Sequence, residues 1–142
     1  MTAVEFLEQY KDATKEIARA HEEYDKEMEL VASIRSPLGG DGMPRSGEVS
    51  KRVENDAMRL AEKALEVKYA EIRALAVRQE VVRVINRIHG PEADVLTEKY
   101  IKLAENGRLR TWASVADAVG YSEDNVYKLR RKGLAMVEEM IK

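Results

Sequence analysis

The 142-residue chain carries 24 Lys and Arg against 26 Asp and Glu, a formal net charge of −2, and is only 6% aromatic. It has no cysteine, which excludes disulfides, thiolate metal sites and cysteine nucleophiles; no run approaches the ~18 apolar residues of a membrane span. The near-neutral balance also removes an overall basic footprint, so attraction for phosphate has to come from local clustering.

By segment, residues 1–47 hold 6 basic and 10 acidic side chains, 48–91 hold 9 and 7, and 92–142 hold 9 and 9. The length suits one compact domain or two small helical parts. The N-terminus lacks a basic region followed by an apolar one, and the missing cysteines fit a reducing compartment, so the expected location is the cytoplasm.

In chain order, Ala3, Phe6, Tyr10, Ala13, Ile17, Ala20, Tyr24 and Val31 recur at alternating steps of three and four, with Glu27 the one break. That is the seam of a long helix. Ser36 to Gly47 concentrates four glycines and two of the three prolines, and is expected to be a loop, placed at 35–47. A second long helix follows, starting between Glu48 and Val53 with Ser50 as a candidate cap. It carries Val53, Ala57, Leu60, Ala64 and Val67, then Ile72, Leu75, Val81, Val84, Ile85 and Ile88. The stripe drifts along the way, which fits either a straight helix or a break between Ala70 and Arg78.

Folding the first helix back on the second gives an antiparallel, coiled-coil-like hairpin over residues 1–90. The broad apolar face of the second helix leaves aliphatic residues for a partner chain, so a homo-oligomer is expected, with a dimer favoured; packing of these helices against the C-terminal part is the alternative. His89-Gly90-Pro91 reads as the stop of the long helix and opens a second domain, 91–142. Helices are expected from Glu92 to about Leu103, Trp112 to Val119, and Glu123 to about Ile141. No β-alternating run occurs, and the fold class is all-α.

The last two helices carry a helix-turn-helix pattern. Such a unit needs a small residue where the helices cross, a turn residue free to take positive φ, and apolar residues that lock the second helix. Ala116 is the crossing residue, Gly120 the turn, and Val115, Val119, Tyr121, Val126 and Leu129 the apolar positions. Ser122 is positioned to cap the second helix, with Glu123 and Asp124 in its first turn complementing the dipole.

With Val126 and Leu129 inward, Glu123, Asp124, Asn125, Tyr127, Lys128 and Arg131 are left for surfaces that meet DNA; Asn and Arg can make bidentate contacts to base edges. Arg130, Lys132 and Arg110 suit phosphate, and Thr111, capping the preceding helix, could present backbone N–H groups to a phosphate oxygen. Lys128, Arg130, Arg131 and Lys132 supply the local positive charge that the whole chain lacks. Glu123 and Asp124 oppose it unless they read cytosine amino groups.

Ala93 to Ile101, Thr111 to Ala116, Gly120-Tyr121-Ser122 and Val126 to Leu129 resemble region four of sigma-70-type factors over about 50 residues. With a charged helical N-terminal part, the whole chain resembles phage regulators of the ArpU and RinA type, which activate late genes of phages and prophages. The resemblance implies a sigma-like DNA reader without the core-polymerase-binding region, with promoter-region double-stranded DNA as ligand and RNA polymerase as a further partner. Gly133 departs from that family, whose members more often show alanine; a mid-helix glycine costs about 0.5–1 kcal/mol.

No enzyme constellation and no cofactor are expected. His21 and His89 lie far apart without a ligand pair at suitable spacing, no carboxylate pair stands out for acid–base work, and Gly39-Gly40-Asp41-Gly42 has neither a preceding strand nor a following Gly-Lys-Ser/Thr. Trp112 is assigned to core packing of the motif's first helix, with a phosphate contact through its indole N–H as the alternative. The alternative function is a helical interaction or assembly protein whose helix-turn-helix fold docks a protein such as RNA polymerase or a phage packaging complex.

Overall fold

The computed structural model describes residues 1–35 and 46–142. Among them are five α-helices and no strand: α1 (Ala3–Arg35), α2 (Ser46–Asn86), α3 (Pro91–Leu96), α4 (Trp112–Val119) and α5 (Glu123–Ile141), with a π-helical turn at Thr97–Ile101. None of these helices is long and apolar enough to cross a membrane. Residues 36–45 of the expected loop, with the Gly39–Gly42 stretch, lie outside the described residues; Ser46 and Gly47 belong to α2, so Ser50 sits inside that helix and not at its cap. α2 runs through Ala70 to Arg78 as one element.

The chain forms two compact units, residues 1–15 with 73–142, and residues 16–72. This division differs from one at 90/91, and the reason is apolar burial. Ala3, Phe6 and Leu7 from the start of α1 share one core with Val81, Val84, Ile85 and Ile88 near the end of α2, and with Leu96, Tyr100, Ile101 and Val137. α3, the π turn and α5 thus complete their core with both ends of the N-terminal region, which removes from water apolar area worth roughly 25 cal/mol per Å². The backbone N–H of Ala3 donates to the Glu138 carboxylate at 3.4 Å, anchoring the start of α1 to α5.

In the unit of residues 16–72, Val31, Val67 and Ala70 are buried. Ion pairs cross between α1 and α2 at Glu27–Arg59 (3.2 Å), Glu23–Lys63 (3.4 Å) and His21–Glu71 (3.6 Å); positions on α1 fall as those on α2 rise. The break in the α1 seam at Glu27 is thereby explained, because its half-buried carboxylate meets Arg59, which also pairs with buried Asp56.

His89-Gly90-Pro91 works differently from a helix stop. α2 ends at Asn86, and its last turn tightens through Arg87 N–H to Val84 O (3.1 Å) and Ile88 N–H to Ile85 O (2.9 Å). Gly90, at φ 119°, instead precedes α3 as its N-cap, with Pro91 in the first turn. Proline there loses nothing, since that N–H has no partner within the helix, and its fixed φ is already helical.

The expected helix from Glu92 to Leu103 becomes α-helical only to Leu96. Lys102 N–H bonds back to Thr97 O at 3.0 Å, five residues earlier, and closes the π turn. Lys99, Tyr100 and Ile101 are all buried in succession.

Candidate functional site

α4 and α5 follow the boundaries expected from their signals. Thr111 caps α4, its hydroxyl accepting Ser114 N–H at 3.2 Å, and Ser122 caps α5 by accepting Asn125 N–H at 3.2 Å. Each such cap contributes about 1 kcal/mol. Between them Gly120 takes φ 78°, ψ 24°, and the N–H groups of Gly120 and Tyr121 converge on Ala116 O at 2.9 and 3.2 Å. That left-handed turn reverses the chain at little cost only because glycine has no β-carbon.

Val95, Val115, Ala116, Val126 and Leu129 form a small core of their own, with Trp112 and Val119 packed against it. Val126 and Leu129, three residues apart, point to the same side of α5 and fix which residues face outward. Ser122, Glu123, Asp124, Asn125, Tyr127, Lys128, Arg131 and Lys132 are all exposed, as is Thr111 at the start of α4. Tyr121, expected among the locking residues, is 41% exposed and lies outside this core.

Trp112 is more than packing. Its half-buried ring lies 5.2 Å from the ring of Tyr127, inclined at 51°. The Lys99 ammonium stands 4.3 Å from its centroid and the Arg130 guanidinium 5.1 Å. Such contacts draw on the negative face of the indole. Lys99 also donates to the Arg110 carbonyl oxygen. Burial, reinforced by the charge of Arg130 and partly offset by Glu8, holds Lys99 below the usual lysine value of 10.5. Sequence reasoning missed Lys99, since a lysine between Glu98 and Tyr100 reads as solvent-facing; the only signal was its place among apolar neighbours.

The structure separates the two arginines assigned to phosphate. Arg130 is half-buried against Trp112, at the edge of the exposed surface. Arg110 is engaged within the fold: it forms an ion pair with Glu98, donates from Nε to Ser114 Oγ at 3.0 Å, and donates from Nη2 to the same oxygen at 2.7 Å. Its role is to tie the segment before α4 to the π turn. Of the histidines, His21 faces Glu71 and His89 is exposed.

What the arrangement offers chemically is a short, rigid surface built from the first three turns of α5. Acidic Glu123 and Asp124 lie at its start, Asn125 and Tyr127 follow, and Lys128, Arg131 and Lys132 supply cations. The chain matches no protein-family model, no curated protein and no solved structure.

Proposed function

We propose that this chain is a sequence-specific double-stranded DNA-binding transcriptional regulator of phage or prophage genes, combining an N-terminal helical hairpin with a sigma-like helix-turn-helix, and that it is not an enzyme. The observation carrying the reading is the Gly120 turn between two side-chain-capped helices. It is locked by Val115, Ala116, Val126 and Leu129 and leaves a continuous polar face on α5. A helix held in this way can enter the major groove as a unit, its first turns toward the base edges.

Within this reading Asn125, Lys128 and Arg131 contact bases, with Glu123 and Asp124 accepting from cytosine amino groups. Thr111, Ser122, Arg130 and Lys132 face phosphates, and Tyr127 packs along the groove wall. Arg110 is left out because Glu98 and Ser114 occupy it. RNA polymerase is a second partner in this proposal.

The competing reading, a module that docks protein, draws on exposed Tyr121 and Tyr127 and on the equal numbers of acids and bases in residues 92–142. Fluorescence anisotropy with fragments of neighbouring genomic DNA at two salt concentrations separates the two. Neutralising several phosphates makes affinity fall steeply with salt; sequence-preferring binding that weakens in this way is the expected result. Absence of binding at low salt to every fragment overturns the proposal.

A further inference from the structure

α2 carries two apolar stripes. One is buried and includes Val67 and Ala70. On the opposite side, Met58, Leu65, Tyr69 and Ile72 are 63, 51, 55 and 62% exposed, with Ala61 beside them. Met58, Leu65 and Ile72 follow one another at steps of seven, close to two full turns, which is the spacing of a helix–helix seam. The stripe is bounded: Glu54 stands in line with it on the N-terminal side and Gln79 on the C-terminal side.

Charge identifies the occupant. Glu62 and Arg73 flank the stripe on the same side, both are exposed, and neither makes an ion pair among the described residues. Two antiparallel helices bring equivalent flanks together. With a two-fold axis level with Val67, Leu65 meets Tyr69 of a second copy, while Ala61 with Ile72 and Glu62 with Arg73 each fall within one residue of the same level, every pair occurring twice. A parallel alignment is disfavoured, because it sets Lys68 against Arg73 and leaves Glu62 opposite Ala57. A lipid surface is a poor match as well, since the flank beside Tyr69 carries Glu62 and Glu66 where basic residues are wanted.

We infer that the outer face of α2, from Met58 to Arg73, is a homodimer interface in which two copies pack antiparallel through Leu65, Tyr69 and Ile72, locked by reciprocal Glu62–Arg73 pairs. This does not rest on the DNA-binding proposal.

Sedimentation equilibrium of the full chain, without DNA, tests it. The expected result is a concentration-dependent monomer–dimer equilibrium that Leu65→Glu with Ile72→Glu abolishes while helical circular dichroism is retained. Glu62→Arg should raise the dimer dissociation constant roughly fivefold or more, as two symmetry-related pairs become repulsive. Adding Arg73→Glu should restore it, a rescue that loss of folding cannot mimic. A wild-type chain that stays monomeric at every concentration reached, or one forming a larger closed oligomer, overturns the interface. So does a charge swap that fails to rescue.

Discussion

A β-carbon built on Gly133 would lie 3.0 Å from Cδ1 of Leu96 and 3.2 Å from its Cγ. α5 therefore crosses α3 so closely that a β-carbon at position 133 presses on the Leu96 side chain, which must shift by a few tenths of an ångström to admit it. Gly133→Ala gains about 0.5–1 kcal/mol of helix propensity, but Leu96 is fully buried and has little room to yield. Overpacking of this kind costs about 1–3 kcal/mol. Urea unfolding should show net destabilisation of roughly 1 kcal/mol in the wild-type background, and a stabilising effect of the same substitution when position 96 is already alanine. Equal effects in both backgrounds would show that the crossing does not constrain residue 133.

Gly120 presents the complementary case. A β-carbon there meets nothing within 4 Å, yet φ is 78°, so the cost of Gly120→Ala is backbone strain alone, about 1–2 kcal/mol. Asparagine tolerates this region better. Thermal unfolding should rank glycine above asparagine above alanine; alanine equal to glycine would mean that the turn relaxes to another conformation.

The contrast between these glycines shows what the sequence could disclose. Gly120, Thr111 and Ser122 were legible because their roles are local: a turn needing positive φ and hydroxyls three residues before the N–H groups they cap. The identity of the α4 and α5 helices followed from the same signals. Gly133 looked like a departure from a pattern, since its reason, Leu96, lies far away in the chain. The shared core of Phe6, Leu7, Ile85 and Tyr100 was legible only as an alternative, packing of the long helices against the C-terminal part, and its individual residues were hidden because the contact joins distant segments. His89-Gly90-Pro91 carried the right residues with an ambiguous direction, because glycine and proline punctuate both the end of one helix and the start of the next. Lys99 and Arg110 were hardest: beyond the apolar neighbours of Lys99, nothing in the sequence distinguishes a cation aimed at solvent from one aimed at Trp112 or Glu98.

Lys99 makes a pH-dependent prediction. Burial and the nearby Arg130 charge disfavour its protonated form in the folded chain, so the folded state releases this proton first as pH rises. Below its lowered value Lys99 is charged in both states and the folded state bears the cost. Between that value and 10.5 the cost is relieved, and the contribution of this group to stability improves with rising pH. A carbon-13 NMR titration at the Lys99 ε position should give a midpoint below 10.5, moved upward by Arg130→Gln. A midpoint at or above 10.5 would contradict the electrostatic account of this cluster.

The engagement of Arg110 separates two basic residues that composition treats alike. Arg110→Ala removes the Glu98 pair and the hydrogen bonds to Ser114, leaving Glu98 only its Lys102 partner at 2.7 Å. Hydrogen bonds to charged groups contribute about 1.5–3 kcal/mol, and partial exposure of Arg110 discounts this toward roughly 1 kcal/mol. Lys128→Ala and Arg131→Ala act on exposed side chains and should stay within about 0.5 kcal/mol of wild-type stability. Under the proposed DNA-binding role the order should reverse for affinity. Loss of one base contact costs about 1–3 kcal/mol of affinity, and loss of one phosphate contact lowers the slope of log affinity against log salt by about 0.9. Lys128→Ala and Arg131→Ala should therefore weaken binding, and Arg110→Ala should leave the affinity of the folded fraction within a few-fold of wild type. Paired urea titrations and anisotropy measurements on the three variants check this directly. If Arg110→Ala abolished binding at unchanged stability, the DNA-facing surface would extend to the segment before α4, and the ion pair with Glu98 would have to open in the complex.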